Sequence, residues 1–513
     1  MGLSKSRYTT FCQCPKALWL KTYKPELEII PEALQTRFAT GQEVGALARE
    51  LFTPYLNVDT RKPDGFADID EMIHKTALAI DDMTVDTICE AAFAFDGNYC
   101  AVDILRRSPN GWEVYEVKSS SVNPENQKSI DEAINEYLSD VSYQVWLLRQ
   151  RDINVTGAYI ILLNSNYILD GELDVQRLFY KINVTEFMTE DLMYEVGERV
   201  KEAEASIKDD VNEYVEDLGP QCKKPHDCAF LKYCMDQRGI KYPSVFNLYR
   251  AQWKKKLEYL NDGFMTFEDI KPLLGTKIKT KTQTMQVTCT LENRDHIDSV
   301  GIRAFIAKLK YPLYYLDFET MQPAVPIYQG THPYQQIPFQ YSLHIQEEPL
   351  GGLVHTEFLG QPGEDPRRAL AEKLCHDIPD DVCVIAYNKQ FECGRIEELA
   401  NMYPDLSEHL LCIKEHIVDL LCPFQDGYYY TPEMKDSFSI KSVLPALFPN
   451  SEELNYHNLN ESVQNGADAM TIFPKMAMMN ESEQKNARES LLAYCCLDTL
   501  AMVRVLEKLY EVI

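Results

Sequence analysis

Three sets of residues have the types and spacing for metal-assisted chemistry. The first is Asp103, Glu116 and Lys118. Residues 101–107 and 112–119 read as strands, with Asn110-Gly111 between them as a hairpin turn signal. A two-residue loop there sets Asp103 opposite Lys118, and Glu116, two residues before Lys118, shares that face. Two carboxylates and one ammonium then meet on one patch of sheet. Such carboxylates hold Mg²⁺ or Mn²⁺ through oxygen, and the lysine could orient an attacking water. A cross-strand ion pair on a solvated face has the same spacing. The second set is Asp317, Glu319, Glu392, Tyr494 and Asp498. Asp317 and Glu319 lie two apart on a strand read at 314–320, so both project from one face. Tyr494 and Asp498 are i and i+4 on a helix read at 490–510. Glu392 follows a strand-like run at 382–387, and Asp419 is an alternative fourth carboxylate. The third set is Cys222, Cys228 and Cys234, three thiols that need a fourth partner, with Cys12 and Cys14 far upstream. There is no C-x2-C, so an ordinary zinc ribbon fits poorly.

Holding these groups in place takes more than one domain. The chain has 513 residues, 45% hydrophobic and 25% charged, the composition of ordinary globular protein. Three regions emerge. Residues 1–240 begin helical, pass through strands and end in the cysteine cluster. Residues 241–300 are helical and then polar. Residues 301–513 alternate strand and helix, the pattern of an α/β layer. The net charge is −28, which excludes a passive coat for nucleic acid but not an enzyme that gathers carboxylates around metals. The one basic stretch, 250–281, carries Arg250, Lys254, Lys255, Lys256, Lys271, Lys277, Lys279 and Lys281 against Glu258, Asp262, Glu268 and Asp269. No run approaches a membrane span, the N-terminus lacks a signal-peptide core, and Ser4 or Ser6 reads as a helix cap. With 15 cysteines, a reducing cytoplasm is the expected setting, its thiols free or bound to metal. No phosphate-binding glycine loop is present, which argues against an ATPase, and no histidine pair has zinc-hydrolase spacing.

Asp103 followed by Glu116-Val117-Lys118 resembles the D…E-x-K core of the RecB-type PD-(D/E)XK nucleases. Tyr143-Gln144 resembles the glutamine motif of that branch, and Gly41-Gln42-Glu43-Val44 its opening helix. Many relatives place a metal-binding histidine where this chain has Gly45, so Glu43 or Glu90 would have to substitute. Cys-Pro at Cys14 with a downstream triplet resembles the iron–sulfur nucleases linked to CRISPR adaptation and the iron–sulfur helicase–nucleases. That resemblance implies a 4Fe–4S cluster on Cys14, Cys222, Cys228 and Cys234, with Cys12 spare; zinc on the same sulfurs is the alternative. Asp317-x-Glu319, Glu392 and Tyr494-x3-Asp498 resemble the DEDD exonucleases of ribonuclease H-like fold, with a glutamate where the second motif usually has aspartate. Residues 311–320 and 333–341 resemble an uncharacterised bacterial family that fuses these two modules. The implied architecture is a restriction-endonuclease-like α/β domain and a ribonuclease H-like α/β domain, joined by a helical basic linker. The implied activity is Mg²⁺- or Mn²⁺-dependent cleavage of DNA, single-stranded or bearing an end. Gln144 would assist Asp103, Glu116 and Lys118. Asp103 and Glu116 would hold metal in one site; Asp317, Glu319, Glu392 and Asp498 would hold it in the other. An exoribonuclease is a second reading, and a nucleic-acid clamp or scaffold with degenerate sites a third.

Overall fold

In the computed structural model, which describes residues 2–29, 32–459 and 463–513 and leaves aside the side chains of 32–39 and 457, the first helix starts at Lys5 because Ser4 caps it. The Ser4 hydroxyl accepts from the Arg7 amide at 3.3 Å, satisfying one of the donors a helix leaves open. The chain forms two compact units. One is Met1–Gly239 with Pro323–Gln335, and the other Ile240–Gln322 with Gln336–Ile513. Both are mixed α/β. Among the described residues, no helix is long and apolar enough to cross a membrane.

The first unit is built on a six-stranded sheet in chain order: β1 (Leu56–Asn57), β2 (Thr87–Phe95), β3 (Asn98–Ser108), β4 (Gly111–Val122), β5 (Val155–Asn164) and β6 (Phe179–Asn183). β2, β3 and β4 form an antiparallel meander, and β4 pairs with β5 in parallel. A parallel pair needs a crossover, and the helix Gln127–Gln150 supplies it, capped by the Asn126 side chain. Its Val141, Tyr143, Val145, Leu147 and Leu148 pack with Val102, Val114, Ala158 and Ile160. A second cluster contains Val44 and Ala48 from the helix Glu32–Arg49 with Ile104, Tyr115, Ile161 and Leu163. Each such side chain, fully buried, contributes about 1.5–3 kcal/mol. Ala324 and Val325 belong to this second cluster, and the Tyr334 hydroxyl donates to the Ser119 carbonyl at 2.6 Å. Residues 323–335 are therefore part of the first unit although the sequence reading placed them in the C-terminal region.

In the second unit, β7 (His296–Ile297) makes a small ribbon with β13 (Tyr429–Tyr430). The main sheet contains β8 (Leu313–Met321), β9 (Ile337–Gln346), β10 (Leu353–Leu359), β11 (Cys383–Ala386) and β12 (Ile417–Asp419), in the order β10-β9-β8-β11-β12. β8 is central, antiparallel to β9 and parallel to β11. Leu313 and Tyr315 pack with Leu497, Ala501, Met502 and Val505 of the final helix, Glu481–Glu511. Tyr314, Leu316 and Phe318 face the other way, toward Leu370, Leu374, Ile396 and Leu399. That alternation aims Asp317 and Glu319 at the face the final helix covers.

The segment expected to be a separate connector, 241–300, clusters with the second unit instead. The reason is packing. Met285, Cys289 and Ile302 share a core with Leu313 and Tyr315. Gln286, fully buried, donates to the Asn247 and Lys435 carbonyls and accepts from the Tyr249 amide. Its basic residues are partly neutralised on the spot: Lys255 pairs with Glu258, Lys277 with Asp262 and Lys281 with Asp298.

Candidate functional site

In the first unit the hairpin turn is Pro109-Asn110, not Asn110-Gly111. Ser108 pairs with Gly111, and the register runs back through Arg106–Glu113 to Ile104–Tyr115. Continued one step, it sets Asp103 opposite Glu116, not opposite Lys118. The slip is two residues, and a shift of two leaves the alternation of faces unchanged, so the three groups still converge. Glu116 is buried, and three donors hold its carboxylate. Lys5 reaches both oxygens at 2.7 and 2.8 Å, Lys118 reaches Oε1 at 2.9 Å, and Gln144 Nε2 donates to Oε2 at 2.6 Å. Burial alone would raise this carboxyl, but Lys118 and Lys5 outweigh it and hold it down at about 2. Asp103 accepts the Val117 amide at 2.7 Å. Loss of solvent, then the Glu116 charge, push it up to about 7 despite Lys5. Two neighbouring carboxyls are thus driven apart, the environment that separates acid from base roles. Lys118 also pairs with Asp140 at 3.3 Å.

The opening beside this cluster is lined by Gly45, Arg49, Arg61, Glu90 and Asp103. Among the described residues nothing stands within 4 Å of where a Cβ on Gly45 would be, so the position has room for a larger side chain. Of the two substitutes, Glu43 is exposed and absent from this lining, whereas Glu90 is in it. Glu90 adopts φ +60° where the pairing of β2 with β3 skips between Cys89 and Ala91. The register is unchanged on either side, so Glu90 stands at an unpaired step opposite Asp103, and it meets Arg49 at 2.6 Å. Lys5, from the capped N-terminal helix, had no signal in the sequence.

The four cysteines come together. Cys14, Cys222, Cys228 and Cys234 line one small cavity with Leu20 and Phe230. Cys14 sits at the start of the helix Pro15–Tyr23, where the amides of Ala17 and Lys16 point at its sulfur; the Gly219 and Phe230 backbones meet Cys222 and Cys228. Burial pushes the Cys14 and Cys234 thiols up to about 11 and raises those of Cys222 and Cys228. Thiols held high by an apolar cavity, with amides already aimed at them, fit a bound cation cluster that would take them as thiolates. Cys12 is exposed and outside the cavity. All fifteen cysteines are free thiols.

In the second unit, Asp317 and Glu319 on β8, Glu392 on the helix Gln390–Met402, and Tyr494 and Asp498 on the final helix form one group, all of it buried except Asp317, which is half-buried. Ligand atoms of Asp317, Glu319 and Cys495 lie within 4.8 Å of one another, and Cys495 Sγ is 3.8 Å from Asp317 Oδ2. Burial, then the charges of Asp498, Glu319 and Glu392, push Asp317 far up. Burial and Asp498 raise Glu319 to about 8; burial and Asp419 raise Glu392 to about 8. Asp498 rises only to about 6, because the Tyr456 hydroxyl donates to it at 2.5 Å, Lys441 is near, and Tyr494 also bonds it. Among the described residues, Glu392 Oε2 is buried without a hydrogen-bond partner. Asp419 is not one of the gathered carboxylates. It accepts the amides of Asn388, Lys389 and Leu421, so it shapes the loop that delivers Glu392. Tyr456 and Lys441 were not foreseen. Lys441 stands over the rings of both Tyr456 and Tyr494; it lies on the helix Ile440–Leu447, whose apolar spacing does not say what its polar face meets.

A family model described as a domain of unknown function (DUF2779) matches residues 314–439. The chain is also similar to the uncharacterized protein MG366 homolog of Mycoplasma pneumoniae, 22% identical over 392 residues, which cover 68% of this chain and 59% of that protein. To uncharacterized protein UU173 of Ureaplasma parvum it is 27% identical over 259 residues, 46% of this chain and 36% of the relative. To uncharacterized protein MG366 of Mycoplasma genitalium it is 23% identical over 212 residues, 39% and 32%. The chain spans less than two thirds of the length of each of these relatives. The segment matched by the family model carries Asp317, Glu319 and Glu392 and ends before Tyr494 and Asp498.

Proposed function

We propose that the chain is a metal-dependent nuclease with two modules, acting on DNA that is single-stranded or has a free end. The observation that carries this reading is the group of Asp317, Glu319, Glu392, Asp498 and Tyr494. Carboxyls raised this far by loss of solvent and by neighbouring negative charge are unfavourable as ions in an empty site and become favourable around cations. The strand order, with β8 central, supports the ribonuclease H-like reading of this unit. The meander, crossover helix and parallel β5, with Asp103, Glu116, Lys118 and Gln144, support the PD-(D/E)XK reading of the first.

Mg²⁺ or Mn²⁺ held by Asp317, Glu319, Glu392 and Asp498 would supply an activated water and neutralise charge on the leaving oxygen. The chain's own groups do the rest. The Tyr494 hydroxyl, bonded to Asp498, orients the water. Asp498, least raised of the set, is the first to give up its proton as pH rises. Lys441 places a positive charge beside Asp498 and Glu319. In the first unit Asp103 and Glu116 are the cation ligands, Lys118 orients the water, and Gln144 fixes the Glu116 carboxylate. We assign Cys14, Cys222, Cys228 and Cys234 to a 4Fe–4S cluster that ties the ends of that unit together. The thiol content supports a reducing compartment, the cytoplasm.

One observation favours a second reading for the first unit alone. Lys5 spans both oxygens of Glu116, where a cation would be held, so that site could bind nucleic acid without cleaving it. The test is digestion of 5′- and 3′-labelled DNA and RNA strands in Mn²⁺ by wild type, Asp103→Ala, Asp317→Ala and the double variant. Loss of cleavage in the double variant supports the two-site reading. Loss already complete in Asp317→Ala assigns the first unit to binding. Undiminished cleavage in the double variant overturns the proposal, and a preference for RNA makes the enzyme an exoribonuclease.

A further inference from the structure

We propose a second, chemically distinct metal site in the C-terminal unit: His344, His355 and Cys496 bind one zinc ion. His344 on β9 and His355 on β10 are direct cross-strand partners, with ring centres 4.6 Å apart. Cys496 approaches from the final helix. One ring nitrogen of each histidine and the Cys496 sulfur lie within 4.8 Å of one another. Zinc bonds of about 2.0–2.3 Å bring such atoms together with small side-chain rotations.

The hydrogen bonds around the rings point to a ligand. Thr499 Oγ1 donates to the Cys496 carbonyl at 3.1 Å, so its only proton is used. Ser342, 2.7 Å from Thr499 Oγ1, must donate to it. His344 Nδ1, 2.8 Å from the same oxygen, must donate as well. With the Ser342 proton spent, His355 Nε2 at 2.9 Å donates to the serine. Every proton of the network is then placed, and each neutral imidazole keeps one lone pair outside it, on His344 Nε2 and His355 Nδ1. Fixing a tautomer through the opposite ring nitrogen is how metal-binding histidines are held. His344 is buried.

Two imidazoles and a thiolate select a borderline-soft ion over Mg²⁺ or Mn²⁺, which prefer the carboxylates described above. On binding, the Cys496 thiol gives its proton to solvent. His355 is exposed, so the ion has a route in, and Glu357, whose charge is felt at the Cys496 thiol, or a water takes the fourth position. The ion would fasten β9 and β10 to the final helix two residues from Tyr494 and Asp498. It positions those residues and touches no substrate.

The full chain, stripped of loosely held metal with chelator, is titrated with Zn²⁺ against a chromophoric competitor. Wild type should take up one equivalent more than His355→Asn or Cys496→Ser, and Zn²⁺ should raise its melting temperature but not theirs. His355 is exposed, so its variant folds even if the Cys496 change does not. Titrating a Cys222→Ser, Cys228→Ser chain removes any uptake by the other cysteine site. Persistence of the extra equivalent there supports the proposal. Equal uptake by wild type and His355→Asn, or loss of the equivalent only in the Cys222, Cys228 variant, overturns it.

Discussion

Replacing Glu319 by glutamine should stabilise the metal-free protein while removing its response to Mn²⁺. Glu319 is 8% exposed and lies near Asp498 and Asp317, and its carboxyl is raised from 4.5 to about 8. The folded state therefore holds a proton that the unfolded chain releases above 4.5, so stability falls as pH rises through that window. From 4.5 to pH 7 is 2.5 pH units, which at about 1.4 kcal/mol each is about 3.5 kcal/mol. Glutamine keeps the shape and has nothing to titrate. Hydrogen exchange of the final helix reads the second unit by itself. In EDTA, wild-type protection should weaken between pH 5 and pH 7 by about 2.5 kcal/mol more than that of Glu319→Gln. In saturating Mn²⁺ the order should reverse, since at a thousandfold excess over Kd a bound ion adds about 4.1 kcal/mol to wild type alone, more than the deficit of about 3.5 kcal/mol. Parallel pH profiles, or a variant weaker than wild type in EDTA, would refute the argument that these carboxyls strain the empty site.

In the first unit, Lys118→Met leaves Lys5 and Gln144 on Glu116 and should lower stability by about 1–2 kcal/mol in urea unfolding. The Lys5→Met, Lys118→Met pair strands a buried carboxylate and should lower it by about 3–5 kcal/mol. Cys222→Ser should lose the brown visible absorbance of the cluster and loosen the first unit, seen as early proteolysis there, with exchange protection of the final helix unchanged. Asp419→Ala removes the acceptor of three amides, a loss of about 1–3 kcal/mol. It should also slow Asp317-dependent cleavage through misplacement of Glu392, with no change in cleavage that depends on Asp103.

The first carboxylate cluster was legible for a geometric reason. The turn was misplaced by one residue, but its length of two was right, so the register slipped by two and the pleat kept its parity. A turn of three residues would have put Lys118 on the opposite face. Glu319 and Asp498 were legible because strand and helix periods fix which neighbours share a face. Lys5 was not, because it lies 111 residues from Glu116 in sequence and meets it only when the first helix docks. Tyr456 and Lys441 likewise gain meaning only from the fold around Asp498. Asp419 was seen as a carboxylate, but its type does not say whether it faces a cation or three amides. The stretch 241–300 looked separable because its polar surface is visible in sequence, while Met285, Gln286 and Cys289 reveal their burial only in contact with β8.

The excursion of residues 323–335 into the first unit bears on how such a chain can be cut or inherited. A gene fragment ending near codon 240 would encode the first sheet without Ala324 and Val325, leaving part of its core open to water and prone to stick to other chains. A fragment starting there would carry a displaced strip of foreign core between β8 and β9. Recombination at a single crossover therefore cannot exchange one unit for another. The two must travel through evolution as a pair, with changes around Val44 and Ala48 answered by changes at 324 and 325.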